Sequence, residues 1–300
     1  MKKQNPLSSK NADQKLGLYL VIPSAIVIFG VLFYPIIYSF FMSLSNLNLE
    51  TRILKFTGLR NYLMIFNDKE FLSSLLLTLY FTIVSVIFEM VLGTCFALVL
   101  NKKFKGSGFL RGVMILPWAL PSVVNGVMWK WIFNANYGAL NALLLQFHLI
   151  NHYIVWLGQS STALNCMIFA NVWKETPYVV LLMLAALSNI SLDLYEAARI
   201  DGSNGWNSFW KVTLPLLKPI VIVLVITKTI WAIQTFDLPY ILTAGGPSNS
   251  TELISVYIEK TAINYTEFGY GSAMSFMLML VTLVLCALYI KLLAKNGELG

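Results

Sequence analysis

The connection between two long apolar stretches of the chain reads Tyr195-Glu-Ala-Ala-Arg-Ile-Asp-Gly-Ser-Asn-Gly-Trp-Asn-Ser-Phe-Trp-Lys-Val-Thr-Leu-Pro215. Just before it stands Asp193, a residue type that caps helices, and it predicts a short helix ending near Ile200. Gly202 then permits a sharp turn, because glycine reaches backbone conformations that other residues avoid. The connection therefore predicts a helix and a turn outside the apolar stretches.

A second helix is predicted after Gly205, and it carries three large aromatic side chains: Trp206, Phe209 and Trp210. In the first helix, Ala197 and Ala198 leave one face narrow, so that another surface can approach closely. We interpret 193–211 as a compact helix-turn-helix unit whose apolar side requires a partner. The alternative is an amphipathic loop that lies on lipid headgroups.

The composition of the whole chain is unusually rich in apolar residues and poor in charged ones. Apolar residues make up 57% of the 300 residues, against about 45–50% in soluble domains. Charged residues make up 12%, about half of the usual share of roughly 25%. The mean hydropathy is +0.70. Because so few charges cannot cover a water-facing surface, a soluble enzyme, a disordered chain and a secreted disulfide scaffold are excluded, and an integral membrane protein remains.

The apolar residues are grouped in stretches long enough to span a bilayer as helices, which takes about 20 residues each. The six predicted spans lie near 16–44, 72–100, 108–133, 162–188, 213–236 and 270–292. The apolar part of the first stretch is longer than the core of a signal peptide, so we interpret it as an uncleaved span. The predicted fold class is an all-α integral membrane protein with six transmembrane helices.

The distribution of Lys and Arg predicts the orientation, because loops on the cytoplasmic side are enriched in these residues. Most of the Lys and Arg outside the spans fall on the side that also carries the N-terminus; the first outside loop is the exception. We therefore expect a cytoplasmic tail at 1–15 and a permease domain at 16–300 with both termini in the cytoplasm. Residues 188–212 are expected inside and 134–161 outside.

Several kinds of chemistry are not indicated. The sequence has neither the G-x-x-x-x-G-K-[ST] loop that holds ATP phosphates nor G-x-G-x-x-G. His148 and His152 could share a helix face, but no third metal ligand stands out. No basic stripe with interleaved aromatic residues indicates nucleic acid. We therefore predict no catalytic residue, no metal site and no cofactor in this chain, and an enzyme acting alone is excluded.

Five charged residues fall within or near the ends of spans, where charges are costly and usually face protein or water. Glu89 is interpreted as a hydrogen-bond partner of a neighbouring helix, and Lys130 as a side chain that reaches the outer surface. Lys174, Glu175 and Lys228 lie deeper. For these three, an interhelical ion pair and a ligand contact remain open as alternatives.

Beyond these physical arguments, the chain resembles a known family. Glu196-Ala-Ala, Asp201-Gly202 and Leu214-Pro215 match the E-A-A-x-x-D-G and Leu-Pro signature in the membrane subunits of bacterial ABC importers, although Ser203 stands where Ala is common. Other segments are similar to the first-type membrane subunit of maltose-like importers: Asn171–Tyr178, Phe236–Tyr240, Leu242–Pro247 and Phe268–Ala273.

The resemblance implies a type I importer fold and a bacterial cell (inner) membrane location. It also implies several partners: a second permease subunit that forms a heterodimer with this chain, two ATPase subunits that bind ATP and Mg, and an extracytoplasmic solute-binding protein. The loop 193–211 would couple this chain to the ATPase through Glu196, Ala197, Ala198, Asp201 and Gly202.

The same resemblance implies a sugar site on the fourth and fifth spans, formed by Asn171, Glu175, Tyr178, Thr227 and Trp231. Glu175 replaces a glycine of the maltose subunit. Four other tryptophans are interpreted as membrane-interface anchors: Trp118, Trp129, Trp131 and Trp156.

We therefore predict the permease subunit of an ATP-driven carbohydrate importer, forming half of its translocation pathway. The rival class is an ion-driven secondary transporter that uses Glu89 or Glu175 as a proton carrier, and a third alternative is a non-transporting membrane scaffold. Within the importer class, the alternative substrate is an amino acid or a phosphoester.

Overall fold

The computed structural model describes residues 6–48, 53–102 and 104–294, which are mainly helical. The chain divides into two compact units, one formed by Met1–Asn67 with Thr261–Leu278 and the other by Asp68–Lys260 with Met279–Gly300. Of the predicted cytoplasmic tail, residues 1–5 lie outside the described part of the chain.

The first unit begins with a long helical segment followed by a short hairpin. Its elements are α1 (Pro6–Val27), a π-helical segment (Ile28–Phe33), α2 (Tyr34–Ser43), β1 (Ser45–Asn48), β2 (Ile53–Phe56) and α3 (Arg60–Ile65). The strands are antiparallel, with Ser45 opposite Phe56. The buried Asn61 amide donates to the carbonyl oxygens of Ser43 and Ser45 at 2.9 and 3.0 Å. These bonds fix the start of the hairpin against α3.

The second unit is a helical assembly around two long helices. Its helices are α4 (Lys69–Leu100), α5 (Ser107–Ala119), α6 (Ser122–Ile132), α7 (Ala139–Gln146), α8 (Ser160–Ser188), α9 (Leu192–Ile200), α10 (Gly205–Ser208), α11 (Leu214–Ile233), α12 (Asp237–Leu242) and α13 (Ile254–Glu259). A π-helical segment at Lys260–Asn264 is followed by α14 (Phe268–Ala294), the last of the described helices.

Within the described residues, four helical segments are each long and apolar enough to cross a membrane: Leu16–Ser43, Lys69–Leu100, Gly205–Ile233 and Phe268–Lys291. Two bent pairs, α5 with α6 and α8 with α9, pass the same test together, which raises the count to six if each pair is one span. The predicted all-α membrane fold is thus confirmed, and the number of spans agrees with the prediction on that second count.

The predicted third span, 108–133, is not one straight helix. It breaks into α5 and α6, whose axes differ by 95°. Leu120 is extended, with ψ at 136°, and Pro121 follows it. The proline ring disfavours helical backbone in the preceding residue, and proline has no N–H to donate. The prediction of an uninterrupted span was therefore wrong at this point.

The predicted helix boundaries near 193–211 also need correction. The first helix is capped by Ser191, whose hydroxyl accepts from the Asp193 N–H at 3.2 Å, so Asp193 lies inside the helix. The second helix continues into the fifth span. It runs from Gly205 to Ile233 as one segment, with a π-helical turn at Phe209–Thr213.

The interior of the second unit contains two apolar clusters. One includes Phe81, Trp129 and Met167, and the other includes Val179, Met183 and Leu224. The helices α4 and α8 approach closely at Gly93, where an added Cβ would lie 2.5 Å from a methyl carbon of Val179. This contact brings the polar side chains of α4 next to those of α8.

Candidate functional site

Four charged side chains from three helices meet between the two apolar clusters, and we refer to them as the charged cluster: Glu89 on α4, Lys174 and Glu175 on α8, and Lys228 on α11. The Lys228 Nζ lies 2.6 Å from Glu175 Oε2 and 3.1 Å from Glu89 Oε2. The Lys174 Nζ lies 2.8 Å from Glu175 Oε1.

The inner members of the cluster are fully removed from solvent, since Glu89 and Lys228 are each 1% exposed. The Asn171 amide donates to Glu89 Oε1 at 2.9 Å. Charges buried to this depth are stable only when they are paired and hydrogen-bonded. The interhelical ion pair that the sequence left open is therefore present, and Glu89 does bond a neighbouring helix as expected.

An aromatic wall lies beside the charged cluster and consists of Trp118, Tyr178 and Trp231. The ring centroids of Trp118 and Tyr178 are 5.5 Å apart, and those of Tyr178 and Trp231 are 4.9 Å apart. The Lys228 Nζ lies 5.0 Å from the Trp231 centroid, within the range of a cation–π interaction. Flat apolar rings thus stand next to hydrogen-bonding groups.

A cavity of about 440 Å³ opens between the charged cluster and this wall. Among the predicted site residues, Asn171, Glu175 and Trp231 line it. Tyr178 is not part of this lining, but its ring packs against Trp231, which is. Thr227 is half-buried and is not part of the described lining.

The cavity is also lined by residues that were not predicted as part of the sugar site. They are Glu89, Trp118, Ser122, Lys174, Lys228, Ala232, Gln234, Thr235, Phe236 and Asp237. Helical spacing carried a signal for Lys228, because it precedes Trp231 by three residues on α11. Trp118 gave no such signal, since it belongs to another helix and reaches the cavity beside the break at Pro121.

The interpretation of the tryptophans as interface anchors was wrong for Trp118 and Trp129. Trp129 is 9% exposed and packs against Phe133 and Trp173 in the core. The Trp156 indole N–H donates to Asn141 Oδ1 at 2.9 Å. Lys130 is exposed, and its Nζ also donates to the carbonyl oxygen of Ile241 at 2.9 Å.

The loop 193–211 has a well-defined turn. The Gly202 N–H donates to the Arg199 carbonyl oxygen at 3.0 Å, and the Ser203 N–H donates to the Ala198 carbonyl oxygen at 2.8 Å. Gly202 has φ at +78°, so the helix ends in a Schellman motif with glycine at its left-handed position. The sharp turn predicted at Gly202 is confirmed.

Most of the predicted coupling residues are accessible. Glu196, Ala197, Asp201 and Gly202 are exposed, and Ala198 is half-buried. The loop is held to the long helix by a hydrogen bond of 3.0 Å between the hydroxyls of Tyr195 and Thr213.

The aromatic side chains of this loop contact one another. Trp206 and Trp210 have ring centroids 5.7 Å apart, and those of Phe209 and Trp210 are 5.3 Å apart. Trp206 is 69% exposed and Trp210 is 50% exposed. The loop therefore presents a narrow helix end and two exposed indole rings on one helical scaffold.

Comparison with known proteins identifies the family. Residues 89–294 match the model of the binding-protein-dependent transport system inner membrane component. The chain belongs to this family. This confirms the resemblance inferred from the sequence and the prediction that the chain is a transport component that is not itself an enzyme. It is an integral membrane permease component.

Individual relatives match the transport component over nearly its whole length. It is 38% identical to the trehalose/maltose transport system permease protein MalF of Thermococcus litoralis, over 96% of this chain and 97% of that protein. It is 32% identical to the sulfoquinovosyl glycerol transport system permease protein SmoG of Agrobacterium fabrum, over 94% and 91%.

A solved structure has the same fold. A chain of a bacterial ABC transporter involved in the import of the acidic polysaccharide alginate superposes with a TM-score of 0.83 at 21% identity. The superposition covers 98% of this transport component and 100% of that chain.

Proposed function

We propose that this chain is the permease subunit of an ATP-driven, binding-protein-dependent carbohydrate importer and forms half of its translocation pathway. The observation that carries the proposal is the cavity between α8 and α11, because it combines an aromatic wall with several hydrogen-bonding side chains. A sugar requires both, since its ring faces stack on aromatic surfaces and its hydroxyls need donors and acceptors. The names of the relatives, which include trehalose and maltose, support this choice.

In this proposal, Asn171, Glu175 and Trp231 contact the sugar directly, and Tyr178 supports the Trp231 ring. Trp118 joins them as a second aromatic face. Thr227 stays a predicted site residue, although it does not line the cavity in this structure. The two carboxylates considered as proton carriers, Glu89 and Glu175, are both ion-paired with Lys228, which argues for the importer over the ion-driven alternative.

The loop 193–211 is proposed as the coupling element, with Glu196, Ala197, Ala198, Asp201 and Gly202 at its contact with an ATPase subunit. Closure of two ATPase subunits on ATP and Mg would move this loop as a rigid body and open the cavity outward to receive sugar from a binding protein. Hydrolysis would return the cavity to its inward-facing state. Such alternating access requires two states whose balance ATP shifts.

The proposed partners are a second permease subunit, two ATPase subunits and an extracytoplasmic solute-binding protein. The proposed location is the bacterial cell (inner) membrane, with both termini and the coupling loop in the cytoplasm. The Lys and Arg distribution along the chain supports this orientation.

The cavity assignment can be tested with Trp231→Ala in the purified complex with its partner subunits. We expect trehalose or maltose, used as probes in lipid nanodiscs, to bind at least about fivefold more weakly, because loss of one aromatic contact costs about 1 kcal/mol. Isothermal titration calorimetry measures the effect. The matched control is Trp131→Ala, since Trp131 is 65% exposed on α6 and lies away from the cavity lining. Equal affinity in the Trp231 variant and the wild type would contradict the assignment.

A further inference from the structure

The charges on the cavity wall do not cancel. Five ionisable side chains line the cavity, namely Glu89, Lys174, Glu175, Lys228 and Asp237. Two are ammonium groups and three are carboxylates. With all five ionised, the part of the wall that this chain provides therefore carries an excess of one negative charge.

Both ammonium groups form ion pairs with carboxylates of this chain. Lys228 is 1% exposed and lies between Glu89 and Glu175. Lys174 pairs with the other oxygen of Glu175. An anionic ligand that approaches either ammonium group therefore also meets the negative charge of the Glu175 carboxylate. Two carboxylates that share one cation repel each other, and this repulsion weakens the binding of an anionic ligand.

The excess charge comes from Asp237, which lies outside the charged cluster. It is half-buried in the first turn of α12, and it takes part in none of the ion pairs among the described residues. A free carboxylate accepts hydrogen bonds from sugar hydroxyls, but it repels a second carboxylate, and the repulsion grows where water is scarce.

We infer that this cavity selects uncharged sugars and rejects acidic ones, with Glu175 and Asp237 setting the discrimination. The inference rests on the proposed function and narrows its substrate class. Family membership does not decide this point, since the structural neighbour takes part in the import of an acidic polysaccharide. Glu175 acts by placing its negative charge beside both lysines, and Asp237 acts by its own negative charge.

The experiment compares matched sugars on the intact complex in nanodiscs without the binding protein, whose own selectivity would otherwise intervene. Trehalose, maltose and raffinose are titrated beside derivatives in which one primary alcohol is oxidised to a carboxylate, and binding is followed by saturation-transfer NMR. At low salt we expect at least one neutral sugar to bind tenfold or more tightly than its acidic derivative.

Two variants assign the discrimination to residues. Glu175→Gln frees the lysines, and Asp237→Asn removes the excess charge without touching an ion pair. Each is expected to reduce the tenfold difference to threefold or less. The control Glu70→Gln makes the same chemical change at an exposed residue in the first turn of α4 and should preserve the difference. If Glu175→Gln fails to assemble, Asp237→Asn decides alone.

The contrary outcomes are distinct. Acidic derivatives that bind as tightly as neutral sugars would overturn the inference and leave sugar import intact. A tenfold difference that survives in Asp237→Asn and in an assembled Glu175→Gln variant would overturn the roles of these residues. Binding of neither kind of sugar to a complex that still hydrolyses ATP would overturn the proposed function together with the inference.

Discussion

Lys228 is the residue on which the charged cluster depends, because it is the one cation that contacts both Glu89 and Glu175 among the described residues. Its burial costs hydration free energy that its two carboxylate partners and the Trp231 ring offset. The charged cluster therefore specifies how α4, α8 and α11 are arranged more than it adds to the net stability of the protein. Removal of the cation alone destabilises the folded protein more than removal of a whole ion pair, because it leaves a buried carboxylate without a partner.

We predict that Lys228→Met destabilises the protein by about 3–5 kcal/mol, because it leaves Glu89 buried without a cation. The double variant Lys228→Met with Glu89→Gln should recover most of this loss, since Glu175 keeps Lys174 as its partner. Thermal unfolding in detergent measures both, and Lys69→Met, at an exposed residue, is the control. A double variant no more stable than the single one would contradict this account.

Gly202 and Gly205 form a matched pair in the coupling loop. A Cβ at either residue would meet no atom within 4 Å, but only Gly202 has a positive φ. We predict that Gly202→Ala destabilises the turn by about 1 kcal/mol and reduces the stimulation of ATP hydrolysis by the binding protein, whereas Gly205→Ala leaves it intact. The assay is ATP hydrolysis by the reconstituted complex. Equal stimulation in the two variants would show that the left-handed turn is not needed for coupling.

At the scale of the helices, the contact of α4 with α8 positions the cavity, and Gly93 allows it. We predict that Gly93→Leu separates the helices and weakens sugar binding, while Gly112→Leu, at a glycine with open space around it, has little effect on either. Overpacking of this kind costs about 1–3 kcal/mol. Disulfide trapping between cysteines introduced on α4 and α8 reports the separation. Unchanged trapping and affinity in Gly93→Leu would contradict the prediction.

The sequence was informative wherever one helix contains the whole signal. Asn171, Glu175 and Tyr178 are four and three residues apart, which fits one face of a helix, and in the structure they contact the charged cluster and Trp231. The break at Pro121 was missed because an average over hydropathy does not register a single proline. Trp118 was missed because contacts between helices leave no periodic trace in one sequence.

At the scale of the whole molecule, the orientation of the protein in the membrane cannot be read from contacts within the chain. We predict that a single cysteine at Ser160 reacts with an impermeant thiol reagent in intact cells, while one at Ser203 reacts only after the membrane is opened. The measurement requires removal of the native thiols at Cys95, Cys166 and Cys286. Labelling at 203 in intact cells would reverse the proposed topology.

The central claim is that ATP drives carbohydrate import through this chain, and uptake by proteoliposomes tests it most directly. Vesicles containing the complete complex receive the binding protein and radiolabelled trehalose or maltose. The account predicts accumulation that requires both ATP and the binding protein and continues after the proton gradient is dissipated. Accumulation that follows an imposed proton gradient in vesicles without ATPase subunits would contradict it.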